Sequence, residues 1–167
     1  METHILRNKK ALFFLVTSLA FVSCDSNQVF DQYQSLENNT WHKDSLISFE
    51  FQISDTLSKN NLYINIRNNE DYAFNNLFLI THLDFPDGKK VVDTLQYKMA
   101  DNNGRFLGSG MSEIKENKLF YKELSIFPKP GSYNFSVRQA MRRNGSVDGI
   151  SELEGITDVG LRIEKVE

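Results

Sequence analysis

Among the side chains able to do covalent chemistry, Cys24 is set apart by its position, and it is the single cysteine of the 167-residue chain. It follows Ser23 and a largely apolar run of twelve residues, 11–22 (ALFFLVTSLAFV), which is itself preceded by the basic segment 4–10 (HILRNKK). A basic stretch, a short apolar stretch and a small residue are the parts of an export leader. A twelve-residue helix is about 18 Å long at ~1.5 Å per residue, well short of the ~30 Å hydrocarbon core, so this run cannot serve as a spanning anchor. There is no second thiol for a disulfide. The cysteine is therefore expected to be kept for chemistry on itself, namely lipidation.

Ser23 meets the demand for a small residue before a lipidated cysteine, and Phe21-Val22 is a relaxed form of the commonest lipobox. Acyl chains on Cys24 contribute about 0.8 kcal/mol per buried methylene, and two or more make membrane attachment stable. The competing explanations are an ordinary secretory leader with an incidental cysteine, or a buried structural thiol. The position of Cys24 weighs against both.

The other candidates for chemistry are sparse. Beyond the leader there are two histidines, His42 and His82, and no Gly-x-Ser-x-Gly elbow, so a nucleophile with a base and an orienting acid is not expected. His42 sits in the segment Thr40-Trp41-His42-Lys43-Asp44, and His82 sits within a strand pattern, where a histidine is usually packed and hydrogen-bonded. Glu113 with Glu116, and Glu152 with Glu154, offer carboxylate pairs, but nothing around them points to a raised pKa. Asp101-Asn102-Asn103-Gly104 starts like a calcium loop yet has no bidentate acid at the twelfth place, and reads as a turn. Lys129, Arg142 and Arg143 form a candidate basic patch for phospholipid or an acidic partner. No catalytic residue, cofactor or metal is expected.

Charge excludes one class of partner. The formal charge is −3, and the leader carries Arg7, Lys9 and Lys10 against Glu2, which leaves the remainder at −5. That balance argues against nucleic acid.

The elements that would hold any site are strands. Residues 47–53 and 62–67 alternate apolar and polar side chains, the period of a half-buried strand. Residues 77–85 (LFLITHLDF) are nearly continuous in apolar character and are expected to form a central strand covered on both faces. Pro86-Asp87-Gly88 then reverses the chain into an antiparallel partner at 91–99. Residues 101–112 hold three glycines and read as an irregular loop. Further strands are expected at 119–127, 133–137 and 155–164, while 139–143 suit either a short helical turn or an edge strand leading to Asn144-Gly145. Seven or eight short strands without long helices predict an all-β, antiparallel β-sandwich of immunoglobulin-like or jelly-roll kind. The expected organisation is a leader at 1–23, a lipidated tether at 24–40 and a sandwich domain at 41–167.

Several segments together resemble one family. They are Ser23-Cys24-Asp25-Ser26-Asn27, Trp41-His42-Lys43, Phe49-Glu50-Phe51, Asn75-Asn76-Leu77-Phe78-Leu79-Ile80, Phe85-Pro86-Asp87-Gly88, Gln139-Ala140-Met141-Arg142 and Gly155-Ile156-Thr157-Asp158-Val159-Gly160. As a set they resemble the gliding motility-associated lipoprotein GldH family of Bacteroidetes. The resemblance implies a membrane-anchored envelope lipoprotein, noncatalytic, needed for gliding over surfaces and tied to a dedicated export machine. Its partners would be a membrane, through the lipid on Cys24, and other envelope or gliding-machinery proteins. Only Cys24 carries over as a functional position. A glycan-binding sandwich is the alternative, with Trp41, Tyr72 and Phe106 as candidate platform residues, and it requires at least two aromatic rings to lie coplanar on one open face.

Overall fold

The computed structural model describes residues 27–166. Among them are ten strands: β1 (Gln28–Ser35), β2 (Thr40–His42), β3 (Ile47–Ile53), β4 (Asn60–Asn68), β5 (Asn76–Asp84), β6 (Lys90–Lys98), β7 (Lys115–Ser125), β8 (Gly131–Gln139), β9 (Glu152–Glu154) and β10 (Ile156–Lys165). A single 3₁₀ turn, Glu37–Asn39, interrupts them.

The eight longer strands make two four-stranded sheets, ordered β1-β10-β4-β7 and β3-β8-β5-β6, and every pairing is antiparallel. The pairing follows one rule. The first long strand pairs with the last (β1 with β10), the second with the seventh (β3 with β8), the third with the sixth (β4 with β7) and the fourth with the fifth (β5 with β6). That is a single two-stranded ribbon rolled on itself, the jelly-roll winding, and it decides between the two sandwich topologies that the sequence left open.

Alternation in β3, β4, β8 and β10 turns Phe49, Phe51, Ile64, Ile66, Phe135, Val159 and Leu161 into one core. The sheets meet through aromatic pairs, Phe30 with Phe51 at 5.4 Å between ring centroids and Tyr121 with Phe135 at 5.4 Å. Trp41 is fully enclosed, and its indole N–H donates to the carbonyl of Ser45 at 3.1 Å. The β5–β6 turn closes as its sequence predicts: Phe85 N–H donates to the Lys89 carbonyl, and Gly88 takes φ +84°, a conformation that suits glycine.

Two expectations are corrected, and one choice left open is decided. The tether placed at 24–40 is largely structure: residues 28–35 are β1, paired along their length with β10, and 40–42 pair with β9, so the folded domain starts well before residue 41. Polar side chains hid β1, because an edge strand on an outer layer needs few apolar residues. β5 lies centrally in its sheet but alternates buried and half-buried residues, so only one of its faces is sealed. Residues 139–143 form no helix; β8 runs to Gln139, and Arg142 bridges to Gly149 across a reversal.

Candidate functional site

The leader at 1–23 and Cys24 lie outside the described residues. What the structure fixes is where the chain arrives. The Asn27 carbonyl accepts the N–H of Lys165 at 2.7 Å, so the domain is already engaged three residues after Cys24.

The residues singled out for acid–base work are dispersed. His42 is exposed on β2, where its Nδ1 accepts the N–H of Asp44 at 3.2 Å. His82 lies in mid-strand on β5, opposite Val92 of β6 and Ser136 of β8. Glu152 and Glu154 flank Leu153 on β9 and face solvent. Glu113 is exposed in the loop before β7, whereas Glu116 lies on β7 and accepts from Arg67 Nε at 2.8 Å. Asp101 closes its own turn, taking the N–H groups of Asn103 and Arg105 at 2.9 Å each; these bonds and Arg105 hold its carboxyl below the usual range. Among the described residues no group of three His, Cys, Asp or Glu could hold a metal ion.

The proposed basic patch is split. Lys129 precedes β8, while Arg142 and Arg143 follow it, so they lie at opposite ends of a nine-residue strand. Arg142 instead joins Lys43 and Arg138 around a shallow concavity of about 310 Å³.

Nor do the aromatics form a platform. Trp41 and Tyr72 are buried; Tyr72 meets Phe106 with rings tilted by 44°, and Phe74 at 64°. Burial holds the Tyr72 hydroxyl above its ordinary pKa, and it donates to the Asn76 carbonyl at 2.7 Å.

The most connected polar cluster was not foreseen from sequence. On the outer face of the β1-β10-β4-β7 sheet, Tyr33 Oη donates to Glu116 at 3.1 Å and accepts from Asn65 Nδ2 at 2.8 Å, and the Arg67 guanidinium lies 4.1 Å from the Tyr33 ring centre. Burial first, and then Glu116, push the Tyr33 hydroxyl up to about 12. Beside it Asp31 pairs with Arg162, and Glu164 takes Lys118 at 2.7 Å. These residues come from four strands, so no single segment shows the cluster. The Asp31–Arg162 pair and the hydrogen bonds of Tyr33 fasten β1 to the sheet.

A family model described as GldH lipoprotein matches residues 28–163, nearly the whole described domain. The chain belongs to the GldH lipoprotein family. It is 54% identical over 152 residues to the gliding motility lipoprotein GldH homolog of Christiangramia forsetii, covering 91% of this chain and 93% of that one. It is 44% identical over 160 residues to the gliding motility lipoprotein GldH of Flavobacterium johnsoniae, covering 96% and 99%. The domain is also similar to parts of larger solved structures. One is the infectious bursal disease virus VP2 subviral particle, with TM-score 0.38, 14% identity and 84% of this chain against 34% of that one. Another is the GH115 4-O-methyl-α-glucuronidase BtGH115A, with TM-score 0.43, 11% identity and 86% against 18%. The chain thus spans about a third of the viral protein and under a fifth of the glucuronidase, and at these scores neither likeness transfers a function.

Proposed function

We propose that this GldH-family chain is a noncatalytic, lipid-anchored component of the envelope machinery for gliding motility, working with the secretion apparatus tied to it. In this reading residues 1–23 are removed on export, Cys24 carries the acyl chains, and the jelly-roll domain is held at the surface of an envelope membrane. Confinement to a thin layer raises the domain's effective concentration for neighbouring envelope proteins, so a weak interface becomes occupied. The observation that carries the proposal is the family match from residue 28 onward, directly behind a leader-like segment and a lone cysteine.

The test is replacement of the chromosomal copy in a gliding host by wild type or Cys24→Ala, with metabolic labelling by a palmitate analogue and crosslinking in envelope fractions. Wild type should take the label, crosslink to envelope proteins and support colony spreading; Cys24→Ala should do none of these. Equal label on both, or undiminished spreading by an unlabelled variant, overturns the proposal.

A further inference from the structure

The two ends of the sandwich are not equivalent, because β1 enters at one of them. We propose that this entry end, made by the β3–β4 loop, the β5–β6 turn and the β7–β8 loop, is a docking face that rests on the lipid bilayer and inserts Leu57, Leu124 and Ile126 at headgroup level. The inference rests on the lipid-anchored reading of Cys24 and adds an orientation to it.

Register places these parts together. Gln28 lies opposite Glu164, Asn60 opposite both Lys165 and Ser125, Ile53 opposite Gly131, and Asp84 opposite Lys90. Side chains stitch the loops, Lys165 to Asp55 at 3.2 Å and Lys129 to Asp87 at 2.8 Å.

The apolar residues there are held outward by built features. Asp55 Oδ1 accepts the N–H groups of Leu57 and Ser58 at 3.0 Å each, which fixes a tight turn with Leu57 86% exposed at its tip. Leu124 sits at φ +48°, unusual for leucine, where the pairing of β4 with β7 slips; Asn61 Oδ1 accepts its N–H at 3.0 Å. The slip turns its side chain outward, leaving it 46% exposed, and Ile126 beyond it is 50% exposed. Of the exposed lysines at this end, Lys129 and Lys165 pair with Asp87 and Asp55, while Lys59 and Lys89 stand on the same loops, placed to meet phosphate headgroups.

Reach selects this end over the other. Three residues, fully extended, carry the chain at most about 11 Å from Cys24 to Asn27. Exposed apolar residues also stand at the far end, Met111 and Val147 among them, but a nine-residue strand spans about 30 Å and holds them away from a bilayer anchored at Cys24.

The test uses full-length chain purified from a gliding host in detergent and reconstituted into vesicles of phosphatidylethanolamine and phosphatidylglycerol. Leu57→Cys, Ile126→Cys and Val147→Cys are each labelled with a polarity-sensitive bimane and read with and without doxyl-labelled lipid. Bimane at 57 and 126 should shift to the blue and be quenched, and bimane at 147 should do neither. Uniform emission and quenching at all three positions overturns the docking face. Wild type taking up bimane would instead reveal a free Cys24 thiol, a failure of the anchor itself.

Discussion

The ring of Tyr33 packs directly over Gly160 on the neighbouring strand: a Cβ at position 160 would stand 2.8 Å from Tyr33 Cδ1 and 2.9 Å from Cε1. The missing side chain makes room for the residue that fastens β1, and β1 is the strand nearest the proposed anchor. Gly160→Ala should therefore push the ring off the sheet and cost about 1–3 kcal/mol, the usual range for overpacking. Thermal melts would show a lower Tm, and limited proteolysis should cut first within β1. An unchanged Tm would mean that the Tyr33 ring moves aside without loss.

Removing only the hydroxyl tests the polar half of the same contact. Tyr33→Phe leaves Asn65, 2% exposed, without its hydroxyl partner and deprives Glu116 of a donor, at a cost of about 1–2 kcal/mol. The pH dependence has a definite sign. A hydroxyl whose pKa rises from 10.0 unfolded to about 12 folded contributes stability that is complete below pH 10 and is lost as pH climbs toward 12. Urea melts across that window should decline more steeply for wild type than for Tyr33→Phe; parallel declines would contradict the assignment.

Asp93 makes the opposite pH prediction. Burial opposes its ionisation, but Lys122 at 2.8 Å and Tyr121 at 2.9 Å donate to its carboxylate and hold its pKa below 3.8. Stability from this group is present above the unfolded pKa and is lost as pH falls through the folded one. Asp93→Asn should lower Tm at neutral pH, and the gap to wild type should close as the solution is acidified below about pH 4. A gap that stays constant with pH would remove the ion pair from the account. These three residues tie β6 to β7, so the variant should also loosen that edge in hydrogen exchange.

Trp41, the chain's single tryptophan, joins β2 to the core and serves as its own reporter. Trp41→Ala empties a fully enclosed site and should cost about 3–5 kcal/mol, enough to unfold a marginal domain. Native wild type should emit in the blue and shift red on denaturation. Red emission from the native protein would contradict the burial of this ring.

Much of this fold is legible in the residues, for reasons visible in particular strands. β3 and β10 each bury one alternating face, so Ile47, Phe49 and Phe51, or Val159, Leu161 and Ile163, announce themselves by period two. β1 does not, because its residues lean on partners 83 to 131 positions away, Glu116 and Arg162. β2 and β9 are three residues each and exist through each other. The jelly-roll winding is a fact of pairing between distant strands, which one sequence does not display. The proposed role of Cys24 draws on a leader-like segment that is local in sequence, whereas the proposed docking end is created by register between distant strands.

In the proposed function the thiol of Cys24 carries the lipid that holds this domain at a membrane. Intact mass of the protein purified from its native host tests it most directly. A chain beginning at Cys24 with the added mass of diacylglycerol, with or without a further acyl group, is the predicted result. A chain that retains residue 1, or a cleaved chain with an unmodified cysteine, contradicts it.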